Sequence, residues 1–136
     1  MNKVIRFSQK KFSRNVLSIV ISSLILYFIL AYLLQEFKEL AYFLSALVCF
    51  ISILVLFYKI RYYPHTLVIL DDSINIEYLN KSFFRQKPFS GNIVDIDIEK
   101  EKNRIILSKQ NQTIAVISRG SVSKEDGEFL FSVLKK

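Results

Sequence analysis

Glycine, histidine and cysteine are scarce: three Gly, one His and one Cys in 136 residues. This leaves little material for catalysis. Gly91, Gly120 and Gly127 stand too far apart to form a phosphate-cradling loop, and the chain has neither a zinc-ligand spacing nor a nucleophile elbow. His65 stands alone next to Pro64 and cannot build a metal cluster. One Cys excludes a disulfide scaffold, and Cys49 falls within an apolar run where a reactive thiolate is disfavoured. No catalytic residue, cofactor site or metal site is therefore expected, and the chain reads as a non-enzyme.

Charge is also missing locally. Residues 16–34 and 40–58 contain no charged side chain, and each run is nineteen residues long. At 1.5 Å per helical residue each covers about 28 Å, close to the hydrocarbon thickness of a bilayer. A wholly soluble globule is excluded on this ground, because too little chain remains to bury two such helices. The five intervening residues force an antiparallel hairpin. Tyr32, Tyr42 and Tyr58 sit near the run ends, where amphipathic rings favour the headgroup level. At matched depths Ser22 faces Ser52, with Ser18 and Cys49 nearby, and Ala41, Ser45 and Cys49 form a small-residue stripe suited to close helix packing, within the hairpin or against another protein. No ionisable group lies inside either span, which argues against an ion path.

The basic residues cluster at the membrane. Lys3, Arg6, Lys10, Lys11 and Arg14 precede the first run without an acid, and Lys59 and Arg61 follow the second. The loop between them holds one Lys against two Glu. The positive-inside rule then places both termini in the cytoplasm. Residues 1–15 are expected to be a basic segment, acting either as a surface contact with anionic lipid or as a topology signal alone. Residues 66–136 carry eleven Lys and Arg against ten Asp and Glu, a net +1. A nearly neutral domain lacks the basic face that nucleic-acid binding needs.

Residues 59–65 read as a linker, with Pro64 ending the helix. Beyond it, short β-branched runs alternate with turn residues. Strands are expected at 66–70, 74–79, 83–89 (weaker, limited by Pro88), 93–99, 104–109 and 113–118. In the fourth, Val94, Ile96 and Ile98 are expected inward, with Asp95, Asp97 and Glu99 outward. Ser90, Gly91 and Asn92 break the chain, and Gln110, Asn111 and Gln112 form a hairpin turn. Ser123, with Asp126 three residues on, caps a final helix whose apolar face holds Phe129, Leu130, Val133 and Leu134.

Two apolar helices followed by TLVILDDSINIEY, GNIVDIDIEKEKNRIILSKQNQTIAVIS and SKEDGEFLFSVLK resemble small bacterial membrane proteins with a PH-like C-terminal domain. The resemblance covers about residues 16–136. It implies a membrane α+β fold: a transmembrane hairpin (16–34 and 40–58), then a small antiparallel PH-like β-barrel or sheet with a C-terminal helix over 66–136. A PH-like barrel usually has seven strands, so one more strand is required, expected within residues 80–89. The resemblance implies a scaffold or recognition module.

Lys81, Arg85 and Lys87 are the only local cationic cluster in the domain. They suit either an anionic lipid headgroup or phosphoryl ligand, or simply a solvated strand edge. Asp95, Asp97 and Glu99 stand nearly 7 Å apart along a strand, too far to grip one cation unaided. The leading expectation is a non-catalytic accessory, assembly or adaptor subunit of a membrane complex, partnered by membrane lipid and by membrane proteins or a second copy. A membrane-anchored sensor or effector that binds an anionic ligand is the alternative. An immunity protein against a membrane-directed toxin also fits the size and topology.

Overall fold

The structure, a computed structural model, describes residues 2–134. It divides into two units: one holds residues 10–59, the other the residues up to Gln9 together with those from Ile60 onward.

The first unit is a helical hairpin. Helix α1 covers Lys10–Leu33 and α2 covers Lys38–Lys59. Helix α1 starts ahead of its charge-free stretch and α2 passes both ends of its own, because Lys10, Lys11, Arg14, Lys38 and Lys59 are good helix formers. Each is long and apolar enough to cross a bilayer, and the most apolar window is 0% buried in α1 and 11% buried in α2. A core helix of a soluble protein would be mostly covered. The Phe37 N–H donates to the Leu34 carbonyl at 2.9 Å, closing the tight turn. Tyr27 meets Tyr42 edge-on at 6.4 Å near the turn, and Phe12 meets Phe57 at 6.1 Å near the open end.

The second unit is a β domain of two antiparallel sheets and a helix. Its first sheet has the order β1-β2-β3-β4, with β1 at Asn2–Arg6, β2 at Pro64–Leu70, β3 at Ser73–Tyr78 and β4 at Phe89–Asn92. The second has the order β5-β6-β7, with β5 at Asp97–Lys100, β6 at Arg104–Lys109 and β7 at Gln112–Ser118. Helix α3 covers Lys124–Leu134. Among the described residues no ladder joins the two sheets, so the expected barrel is not closed. The core fills the space between them: Ile5, Leu67, Ile69, Ile74, Ile76 and Leu107 are fully buried, and Leu130 of α3 closes it.

Strand β1 corrects the reading of residues 1–15 as one basic segment. It pairs with β2 from Asn2 opposite Leu70 to Arg6 opposite Thr66, and Ile5 and Phe7 enter the core. Residues 2–9 therefore belong to the β domain, and the helical hairpin is the connection between β1 and β2. A hairpin returns the chain to the side it left, which makes this pairing possible across more than fifty residues. The domain boundary accordingly falls at Ile60, not residue 66, and β2 begins inside the expected linker, at Pro64. Proline is tolerated as a first strand residue because its missing N–H needs no partner there.

The second correction concerns residues 80–100. No strand forms over 83–88. Residues 90–92, expected to break the chain, form most of β4, where Gly91 faces Ile74. A Cβ at Gly91 would stand 2.8 Å from the Phe89 ring, so the glycine gives that ring its place over the strand. The chain then crosses between sheets through a 3-10 turn at Ile93–Asp95. The turn breaks the two-residue period, so Val94 points to solvent, 89% exposed, while Ile96 is buried.

Elsewhere the expected elements form. Gln110 and Asn111 adopt left-handed backbone, φ 51 and 62, in a two-residue turn that sets Lys109 opposite Gln112. At the start of α3, Ser123 Oγ accepts the Asp126 N–H at 3.1 Å and donates to the Asp126 carboxylate at 2.8 Å. That carboxylate also holds the Lys3 ammonium at 2.7 Å, and the ammonium lies 4.2 Å from the Phe129 ring centre. Lys3 thus ties β1 to α3. It and Ser123, in that order, hold the Asp126 carboxyl below its ordinary value.

Candidate functional site: a cationic recess in the β domain

The register of the first sheet gathers its loops at one end. Pro64 faces Tyr78, so the start of β2 and the end of β3 lie side by side, with the β3–β4 loop following at once. The second sheet is anchored there by two hydrogen bonds. The Val116 N–H donates to the Tyr62 carbonyl at 2.9 Å, and the Tyr78 hydroxyl donates to the Ile114 carbonyl at 2.7 Å. Ile114 is the extra residue of a bulge: Leu107 faces Ala115 and Ser108 faces Thr113, which leaves Ile114 without a partner across the ladder. The Tyr78 phenol takes up the carbonyl that the bulge releases. Burial pushes its pKa up to about 12, with Tyr62 adding to the rise.

These contacts open a recess of about 860 Å³. Four cations from three chain segments line it: Arg61 ahead of β2, Arg85 and Lys87 on the β3–β4 loop, and Lys109 at the end of β6. Gln86, Gln110, Gln112 and Thr113 add neutral donors and acceptors. Arg61 stacks on Tyr62 with its guanidinium 4.9 Å from the ring centre. Lys109 pairs with Asp95 at 3.1 Å, an exposed contact that a stronger anion can displace. Neither Arg85 nor Lys87 has an ion pair among the described residues. Such a recess binds anions by charge, by bidentate guanidinium contacts and by amide hydrogen bonds.

Of the expected cationic cluster, the structure brings Arg85 and Lys87 into the recess and leaves Lys81 off its lining. Sequence reasoning missed Arg61 and Lys109. Their positions follow only from which loops share one end of the two sheets. Asp95 serves Lys109, while Asp97 and Glu99 lie on β5 opposite Ser108 and Ile106. His65 lies on β2 with its Nδ1 2.8 Å from the Gln9 amide nitrogen. Lys3 and Arg6 belong to β1, and Lys10, Lys11 and Arg14 begin α1.

In the helical hairpin, Ser18, Ser22 and Ser52 line one crevice, as matched depths require. Ala41 and Ser45 are the buried residues of α2. Cys49 is partly covered, beside Val20, Ser45 and Ala46. Two of these hydroxyls bond their own helix: Ser45 donates to the Tyr42 carbonyl at 2.9 Å and Ser52 to the Val48 carbonyl at 2.7 Å.

Comparison with protein-family models, with curated proteins and with solved structures gave no match.

Proposed function

We propose that this chain is a non-catalytic, membrane-anchored binding module. Helices α1 and α2 cross a bilayer, and the β domain takes an anionic phosphoryl group in the recess. The observation that carries this reading is the convergence of Arg61, Arg85, Lys87 and Lys109 on one cavity with a single carboxylate, Asp95, engaged beside them. Cations this close repel one another, and a bound phosphate offsets that repulsion.

A PH-like character for the domain is supported by its strand count. Seven strands in sheets of four and three precede a C-terminal helix, and the seventh strand is β1 rather than one hidden in residues 80–89. The excess of Lys and Arg around the start of α1 and the end of α2 favours the β domain on the cytoplasmic side of a bacterial inner membrane. An accessory-subunit role resting on the Ala41, Ser45 and Cys49 stripe has less support, because Ala41 and Ser45 are already covered within the helical hairpin.

The phosphoryl group belongs either to a lipid headgroup or to a soluble ligand, and one titration separates them. Inorganic pyrophosphate is titrated calorimetrically into full-length protein in phosphatidylcholine nanodiscs, with and without phosphatidate. Saturable binding that the Arg85→Gln, Lys87→Gln double variant weakens is expected. Displacement of pyrophosphate by phosphatidate in the disc assigns the recess to lipid, and undiminished binding assigns it to a soluble phosphate. An affinity unchanged in the double variant, or no binding of either ligand, rejects the recess as the site.

A further inference from the structure

The β3–β4 loop, residues 79–88, carries an apolar feature that the recess does not use. Its sequence interleaves Phe83 and Phe84 with Lys81, Arg85 and Lys87, and the two rings are 57% and 51% exposed. Exposed paired aromatics flanked by cations cost solvation in water and gain it at a lipid interface. The loop is held in this form. Asn80 is buried, its Oδ1 accepts the Ser82 N–H at 2.9 Å, and its Nδ2 donates to the Phe83 carbonyl. Phe84 adopts left-handed backbone, φ 59, which bulky residues take up only when the surroundings impose it.

The loop also occupies a particular end of the sheet. Arg6 faces Thr66 and Pro64 faces Tyr78, so β1 leaves for α1, β2 arrives from α2, and β3 enters this loop, all at one end. The opposite end holds Ser73 paired with Asn92, about 20 Å away along β2, and Val94 follows Asn92 two residues on.

We infer that the loop inserts Phe83 and Phe84 into the interfacial layer of an anionic bilayer, with Lys81, Arg85 and Lys87 at headgroup level. The occupant is lipid because the patch joins aromatic rings to cations and sits where the chain enters and leaves the apolar helices. This inference goes beyond ligand binding in the recess and does not depend on it.

The chain has no Trp, so a single introduced Trp reports one position. Phe83→Trp and, as the far-end reference, Val94→Trp are placed in the full chain in nanodiscs of phosphatidylcholine and phosphatidylglycerol. The expected result is a blue-shifted emission for Phe83→Trp, quenched more by brominated acyl chains than by aqueous acrylamide. Val94→Trp shows the reverse. Replacing phosphatidylglycerol by phosphatidylcholine weakens the lipid quenching, and equal quenching in neutral discs overturns the anionic requirement. Emission from Phe83→Trp that matches Val94→Trp overturns the insertion itself. Shielding of Phe83→Trp from both quenchers also overturns it and assigns the patch to a protein surface. Pyrophosphate titration of the same variant reads the recess separately, so either inference can fail alone.

Discussion

Tyr78→Phe isolates the hydrogen bond that joins the two sheets. Tyr78 is 6% exposed, and its hydroxyl donates to the Ile114 carbonyl at 2.7 Å. The variant keeps the ring, so apolar burial is preserved. What is lost is one buried bond, and the bulge carbonyl is left without that donor, a change that costs about 1–3 kcal/mol. For a domain of this size each kcal/mol moves Tm by about 4–8 °C, so a drop of about 4–24 °C is expected in nanodisc-held protein followed by near-ultraviolet circular dichroism. The pH dependence carries an independent signature. The folded-state pKa of Tyr78 is pushed above the ordinary 10.0 to about 12, so its neutral form is favoured by folding. Its contribution is complete below pH 10 and is lost as pH rises through the folded value. The stability gap between wild type and variant should therefore narrow between about pH 10 and 12. A Tm within about 2 °C of wild type, with a gap indifferent to pH, refutes the role assigned to this bond.

Ile5→Ala removes a fully buried side chain of β1 and should cost about 2–5 kcal/mol in denaturant unfolding of the β domain, whereas a mere tail would leave stability unchanged. Asp126→Ala keeps the backbone N–H that Ser123 caps but loses the carboxylate's contacts with the Ser123 hydroxyl and the Lys3 ammonium, for about 1 kcal/mol at neutral pH. Because the folded Asp126 pKa is depressed below 3.8, that contribution is present above the ordinary value and fades as pH falls through the folded one, so wild type and variant should converge in acid melts. Gln110→Asn combined with Asn111→Gly fits the left-handed turn better and should raise stability by about 0.5–1 kcal/mol in the same melts.

The apolar helices were legible because their signal is local: nineteen uncharged residues suffice, whatever surrounds them. The strands flanking Asp71 and Asn111 were legible for the same reason, since alternation and turn residues act over a few positions. Strand β1 was hidden by composition. Lys3 and Arg6 draw attention to a membrane-proximal charge cluster, while the alternation of Ile5 and Phe7 is only two residues deep. Its partner lies beyond two helices, and no local rule reaches that far. The Val94 error has a different cause. The period-two pattern holds over 96–99, but the crossing between sheets puts residues 93–95 in a 3-10 turn, and Val94 leaves the pattern there. In the recess, Arg85 and Lys87 were visible as a cluster, and Arg61 and Lys109 were not. Lys81, their equal in sequence, was set apart only by the fold.

That separation supplies the most direct test of the binding claim. Lys81→Gln and Arg85→Gln each remove one cation from the same loop, but only Arg85 lines the recess. Pyrophosphate affinity should fall by about tenfold in Arg85→Gln, the loss of one charge-assisted contact, and stay within about twofold in Lys81→Gln. Equal losses in the two variants would mean that the anion responds to the overall charge of the loop and that the recess is not its site.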